Sequence, residues 1–489
     1  MASGETQNEM QENRKPRSDS LAEGGSHGFV KFLIWMYFVL LILEGPLRKW
    51  ILPGLSNPLI LVRDPIAIML YIAGIGTGLF RFNGATGFLL AVGGLAVVTG
   101  MTVGTRNLYV TLYGFDACFF HLPLIYLIGK TFDHEDVARV GKVILFLAIP
   151  MAVLMVLQFR SDPTAYVNAG PGGSRGSQME AVLGKIRPPG FFNFITGAAQ
   201  FLSLCTAFVV NGFVSKGKKQ LLVYAAALAI MVSTAVSTSR LAVGGIGLVL
   251  LSIGVAALYN RTVIKGVLGM LLPVGFVFFV ATTLDVFKEG THVFEARLAN
   301  TGESKAGVVR SASNWTERVL GDFLAGYEAA QVAPLLGYGL GYGTNIGARV
   351  LTGRVVFSAD EREWGRVIFE IGPILGIAYL GVRVAMLMEL FRRATQSVRG
   401  GNLLPMFLFG ACGLLLVNGQ FGVASTLGFS VFGAGLCLAS NNTRKETQGV
   451  IEEATPAKVR RGTTAYAEKW IRAGLEPGHG TAKFGETFA

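Results

Sequence analysis

Apolar runs of about 20 residues follow one another along most of this chain, and nothing else in the sequence constrains its fold so tightly. A helix rises 1.5 Å per residue, so a run of that length spans a hydrocarbon layer about 30 Å thick. Composition points the same way. Hydrophobic residues make up 51% of the 489 positions and charged residues 15%, which leaves too little polar surface to coat a water-soluble core of this size. The expected fold is all-α, a polytopic transmembrane helical bundle of about twelve spans. These lie at 29–45, 58–80, 86–104, 107–129, 141–159, 191–214, 219–237, 240–259, 263–284, 366–390, 402–418 and 421–440.

Positive side chains are retained on the cytoplasmic side of such a bundle. With the N-terminus inside, every expected inner loop carries at least one, from Lys31 and Arg81 through Lys130, Arg139 and Lys142 to Lys216, Arg261, Lys265, Arg392 and Arg399. Both termini are therefore expected in the cytoplasm, with residues 1–28 a disordered tail, 29–440 the membrane domain and 441–489 a second tail. The tail stretch TAYAEKWIRAG offers Tyr466, Trp470 and Ile471 to inner headgroups. The net charge of +12 thus follows from topology and gives little support to nucleic-acid binding. Four cysteines, Cys118, Cys205, Cys412 and Cys437, all sit inside apolar runs without metal-ligand spacing and read as small core residues.

Two long outer connections, about 160–190 and 285–365, are rich in arginine, where long loops tolerate cations and an anionic ligand would use them. An ionisable group inside or at the rim of a bilayer costs about 2.5–3.5 kcal/mol on insertion scales, so each needs a partner, a watery cavity or a task. Glu44, Arg48, Lys49, Arg63 and Asp64 bracket the first outer loop and are close enough to neutralise one another and pin two helices. Arg187 precedes Pro188 and Pro189, so it is presented from a stiff entry. Arg240 follows Ser237, Thr238 and Ser239 at an outer helix end, where a guanidinium fork and hydroxyls suit phosphate oxygens. Asp360, Glu361, Arg362, Glu363 and Arg366 gather at the lip of an apolar run, with Glu370 four residues beyond Arg366 on the same helix face.

Within the large loop, Asn314 and Glu317 have the spacing of a capping box. Trp315, Val319, Phe323 and Tyr327 recur every fourth residue until Pro334, which predicts an amphipathic helix. The glycines of PLLGYGLGYG then permit close backbone approach; without a following lysine and serine in phosphate-loop spacing, the stretch reads as a shaped lid or turn. No nucleophile elbow, HExxH or acidic metal cluster appears.

Three stretches together resemble the O-antigen ligase and polymerase superfamily of bacterial glycan-transferring membrane proteins. They are RPPGFFNFITGAAQFLSL, STSRLAVGGIGLVLL, and APLLGYGLGYG followed by EREWGRVIFEIGPILGIAYLGVR. The order of spans and loops agrees over roughly 30–440. Family ligases usually carry a His-Asn pair before the last Glu-Gly helix. Here Glu361, Arg362, Glu363 and Trp364 stand instead, which points to a divergent, exopolysaccharide polymerase-like branch.

The resemblance implies a metal-independent, cofactor-free membrane glycosyltransferase of polysaccharide biosynthesis in the bacterial inner membrane. Such an enzyme moves a glycan from a polyprenyl diphosphate, such as undecaprenyl diphosphate, onto an acceptor hydroxyl at the periplasmic face. Arg187 and Arg240, then Arg318 and Arg297, are expected to hold the diphosphate as negative charge builds on it. Glu363, then Glu361, is expected to take the acceptor proton, with Arg366, Glu370 and Trp364 in support. Expected partners are the lipid-linked glycan, membrane lipids and other polysaccharide export or assembly proteins, and no nucleic acid. A secondary transporter or lipid-linked glycan flippase is the alternative; it predicts related halves and helices broken at mid-membrane.

Overall fold

The computed structural model describes residues 17–80, 84–214, 221–300, 307–353 and 362–442, and the side chains of 17–26, 300 and 307–319 are not among those described. The tail from 443, including the stretch 464–474, lies outside it, as does most of the expected disordered N-terminus. Part of that N-terminus is ordered, because the first helix, α1 (Arg17–Pro46), already runs from Arg17 and passes into a π turn at Leu47–Ile51.

Among the described residues, helices make up every regular element beyond a single bridge between Glu180 and Ile186. After α1 come α2 (Asp64–Gly76), α3 (Gly84–Thr102), and the pair α4 (Leu108–Phe115) and α5 (Leu124–Thr131), which a π segment at Asp116–Phe120 joins into one crossing. Then follow α6 (His134–Arg160), α7 (Ile195–Val214), α8 (Leu221–Ser237), α9 (Arg240–Tyr259) and α10 (Thr262–Thr283). The large outer connection holds α11 (Asp285–Asn300), α12 (Gly307–Val332) and α13 (Asn345–Thr352) before α14 (Glu363–Arg399), α15 (Leu404–Asn418) and α16 (Ala424–Ala439) close the fold. Among the described residues, nine helical stretches are long and apolar enough to cross a membrane, and α8, α15 and α16 are shorter apolar helices beside them. The chain is a multi-pass, all-α protein, and each expected span corresponds to a helix.

α7 is the centre. Its apolar stretch is 89% buried, against 22% for the crossings through α2 and α10, and α6, α8, α9, α15 and α16 all pack on it. Small residues let the neighbours approach closely: a Cβ on Gly245 of α9 would lie 2.0 Å from Ser203 Oγ of α7. α6 starts seven residues before the expected span because Asp133 and Asp136 form a reciprocal capping box. Lys31 of α1 pairs with both, at 3.0 and 2.5 Å. Burial acts to raise the Asp133 carboxyl, but the Asp136 amide and the Lys31 ammonium outweigh it and hold the group below its ordinary range.

Two expectations change. The loop after the ninth span contains α11, whose polar, mixed-charge sequence carries no apolar run to announce it. The helix expected to begin at Asn314 begins at Gly307, so Asn314 is interior and not a cap, while the end at Val332 falls just before Pro334 as expected.

Candidate functional site

The turn between α8 and α9, Ser237 to Arg240, gathers three of the expected arginines. Arg240 is the first residue of α9. Arg187 Nη2 donates to Ser239 Oγ at 3.4 Å, and Arg297 of α11 donates through Nη1 to the Thr238 carbonyl. Thr238 has φ 45°, a left-handed conformation that a β-branched residue rarely adopts, and its buried hydroxyl makes no hydrogen bond among the described residues. Below the turn, α7 to α11 enclose an apolar crevice of about 360 Å³. Thr234, Val243 and Phe294 line it, and Arg240 and Arg297 each lie three residues from one of them, which is about one helical turn.

The RPPGFFNF stretch leads from this turn to a second cavity and is held rigidly on the way. Lys49, fully buried, donates to the Gly190 and Phe192 carbonyls at 2.7 and 2.8 Å. Gln158, also buried, accepts from the Gly190 amide at 2.8 Å. Gly190 has φ 58°, and a Cβ there would lie 2.3 Å from the end of the Met151 side chain, so any other residue would be strained and would have to displace Met151. Phe192 packs edge-on against Phe429.

Beyond it lies the larger cavity, about 690 Å³, between the C-terminal end of α1, α4 and α13. Glu44, Arg48, Asn57, Tyr113, Asn193 and Arg349 are among its walls. Glu44 Oε1 accepts from Arg48 at 2.7 Å and from Asn193 at 3.3 Å, whereas its Oε2 has Arg63 Nε no nearer than 3.9 Å. Arg63 spends its other nitrogens on Tyr37 Oη and the Ala424 carbonyl. Of the charges expected to neutralise one another around the first loop, Glu44 pairs with Arg48 and lies 3.9 Å from Arg63, whereas Lys49 is taken up by carbonyls and Asp64 lies against His121; Glu44 and Arg48 also form a cavity wall.

PLLGYGLGYG is a re-entrant backbone element. α14 breaks at Gly372 (φ 80°, ψ 163°), followed by Pro373, which has no N–H to give. The carbonyls left over by the break, Phe369 and Glu370, accept from the Tyr338 and Gly339 amides at 2.8 and 2.9 Å. The Gly341 and Gly343 amides then donate to the Glu370 carboxylate at 3.2 and 3.0 Å. Cβ atoms on Gly339 or Gly341 would lie 2.6 and 2.2 Å from the Thr105 amide and the Val110 carbonyl.

Around this break sits a sealed ionic chain. Arg366 pairs with Glu370 at 2.7 Å and with Glu363 at 3.0 Å, and Arg383 pairs with Glu363 at 2.6 Å. Arg383 also donates to the Leu416 and Gly419 carbonyls. Glu363 and Arg383 side chains are 0% exposed, and both Glu363 oxygens are occupied. That placement supplies no lone pair to an open cavity and so leaves the expected proton acceptor unsupported here. Arg366 and Glu370 do pair as expected. Trp364 packs against Phe323 with centroids 4.2 Å apart and ring planes tilted by 56°, and its N–H donates to the Val417 carbonyl. Glu361 and the Arg318 side chain lie outside the described residues.

Sequence reasoning passed over Arg383, although an arginine deep in an apolar run is itself a signal. It also passed over Gln158, whose role comes only from long-range contacts, and gave Asn193 no role of its own although the RPPGFFNF resemblance includes it. Among the described residues, one group has donor atoms spaced as metal ligands: Asp64, Asp116 and His121, within 4.8 Å of one another. His121 Nε2 lies 3.3 and 3.2 Å from the two carboxylates, and Tyr37 Oη lies 3.2 Å from Nδ1.

No family model matches the chain, and no curated protein or solved structure matches it either.

Proposed function

We propose that this protein is a membrane glycosyltransferase that moves a glycan from a polyprenyl-diphosphate carrier to an acceptor hydroxyl. It works at the outer face of a bacterial plasma membrane, through twelve spans with both termini in the cytoplasm. The reading follows the resemblance to the O-antigen ligase and polymerase superfamily, in a polymerase-like branch. One observation carries it: Arg187, Arg240 and Arg297, from three separate segments, meet at one turn at the head of an apolar crevice. A diphosphate on a long isoprenoid chain has that same division, two phosphates above and hydrocarbon below. As the glycosidic bond breaks, its electron pair passes to the diphosphate oxygen, and fixed guanidinium groups stabilise that charge without reorganisation.

Reconstitution in vesicles with a polyprenyl-diphosphate-linked oligosaccharide tests this, with carrier release and product size as readouts. Arg240→Ala is expected to lower the rate about 10²–10³-fold, the effect of removing one preorganised donor. Undiminished transfer in Arg240→Ala and Arg187→Ala removes the site. Passage of the lipid-linked substrate across the bilayer without transfer favours a flippase.

A further inference from the structure

We infer that the 690 Å³ cavity beside α13 is the acceptor-saccharide site and that Glu44 is the residue that accepts the proton there; this rests on the transfer reading above. The cavity is polar on several sides at once, which suits a ligand whose hydroxyls both donate and accept. Glu44 offers acceptors only, Arg48 and Arg349 donors only, and Asn57, Asn193 and Tyr113 both. Asn193 adds a buried side-chain oxygen that makes no hydrogen bond among the described residues. An unpaired buried acceptor costs about 1–3 kcal/mol, and a hydroxyl from a bound ligand would satisfy it.

Glu44 differs from Glu363 in the one respect that matters for proton transfer. Glu363 Oε1 accepts from Arg366, Arg383 and the Phe421 amide and Oε2 from Arg366, and the side chain is fully buried and lines neither cavity. On Glu44, Oε1 is held by Arg48 and Asn193, which fixes the carboxylate plane, while Arg63 Nε stands 3.9 Å from Oε2, beyond hydrogen-bond range. A carboxylate oriented by one oxygen and open at the other has the geometry of a general base. The site also lies within reach of the arginine turn. Arg187 and Phe192, which lines the cavity, are five residues apart in one pinned loop, so their Cα atoms are separated by at most about 18 Å.

The step balances. The acceptor hydroxyl gives its proton to Glu44 Oε2 while its oxygen bonds to the anomeric carbon. The bond from that carbon to phosphate breaks, and the electron pair leaves with the lipid diphosphate. The proton passes from Glu44 to water when the product leaves.

The test uses the full-length protein, with the lipid-linked donor above and, as the acceptor probe, the oligosaccharide released from that donor by mild acid. Glu44→Gln keeps the shape and removes the base, and is expected to lower kcat about 10²–10⁴-fold with Glu44→Asp recovering part of the rate. Asn193→Ala is expected to raise the acceptor KM about 3- to 10-fold, the worth of one neutral hydrogen bond, and to lower kcat as well, because Glu44 loses one of the two donors that orient it. If Glu44→Gln fails to fold, as its thermal midpoint would show, the acceptor KM of Asn193→Ala decides the site and the rate of Glu44→Asp decides the base. Saturation-transfer NMR reads saccharide binding separately, and it should weaken in Asn193→Ala. A folded Glu44→Gln that transfers at the wild-type rate, while Arg240→Ala does not transfer, overturns the base and leaves the transfer reading standing. Wild-type protein that binds the saccharide but transfers nothing overturns the transfer reading and leaves the cavity a saccharide site. No saccharide binding and unchanged KM in Asn193→Ala overturn the site.

Discussion

Glu363 shows how far one residue's role depends on what surrounds it. Its position at the lip of an apolar run was readable, and so was the charge gathered near it. The partner that closes the network, Arg383, lies twenty residues on in chain order (383 − 363) and reaches it across the helix break and the α15–α16 turn. Removing one member of a buried ionic chain leaves the others uncompensated, which costs on the order of 3–5 kcal/mol. Glu363→Gln is therefore expected to lower the thermal unfolding midpoint measurably in detergent. Arg383→Met in the same background should recover part of the loss, because the orphaned cation goes too. A Glu363→Gln protein as stable as wild type and devoid of transfer would restore Glu363 as the base. Arg187 and Arg240 were legible individually from local stiffness and neighbouring hydroxyls, but their convergence required the tertiary fold.

At the scale of elements, the glycine-rich segment and the broken α14 form one unit. Neither would be stable alone, since the break leaves two carbonyls unpaired and the segment leaves four amides without partners. Gly341 sits at φ 84° with the Val110 carbonyl 2.2 Å from where a Cβ would be. Gly341→Ala is expected to destabilise by more than about 1–3 kcal/mol, the cost of a strained conformation alone. Gly94→Ala, in the middle of α3 with nothing within 4 Å, should be neutral or stabilising by up to about 1 kcal/mol. Equal midpoints for the two variants would mean that the segment does not dock as described. The sequence made the close approach legible through its glycines. It did not show what they approach, because Phe369 and Glu370 follow some thirty residues later. α11 was missed for a different reason: its sequence is polar and mixed in charge on average, and the few apolar residues it turns inward, Phe287, Val293 and Phe294, are too sparse to form a run.

At the scale of the whole molecule, the alternation of spans and loops was the most legible feature, because each crossing must satisfy its own backbone and so writes its length into the sequence. The three short helices are where length alone stops deciding. The four cysteines are all buried, so replacing them gives a background for single-cysteine labelling with an impermeant maleimide. Glu135→Cys and Arg399→Cys are expected to label from the cytoplasmic side, and Ser174→Cys and Gln420→Cys from the other. Gln420→Cys labelling with Arg399→Cys would mean that α15 does not cross, and the count of twelve would fall.

The grip on Gly190 has a consequence for how a long product could leave. Its carbonyl is held by Lys49 from the end of α1, and its amide by Gln158 from the end of α6. Neither helix can tilt outward without carrying that peptide unit with it. On the proposed transfer reading, the cavity wall at Phe192 and Asn193 would then hold its shape through repeated turnovers, and a growing polymer would meet a fixed eyelet in place of a hinged gate.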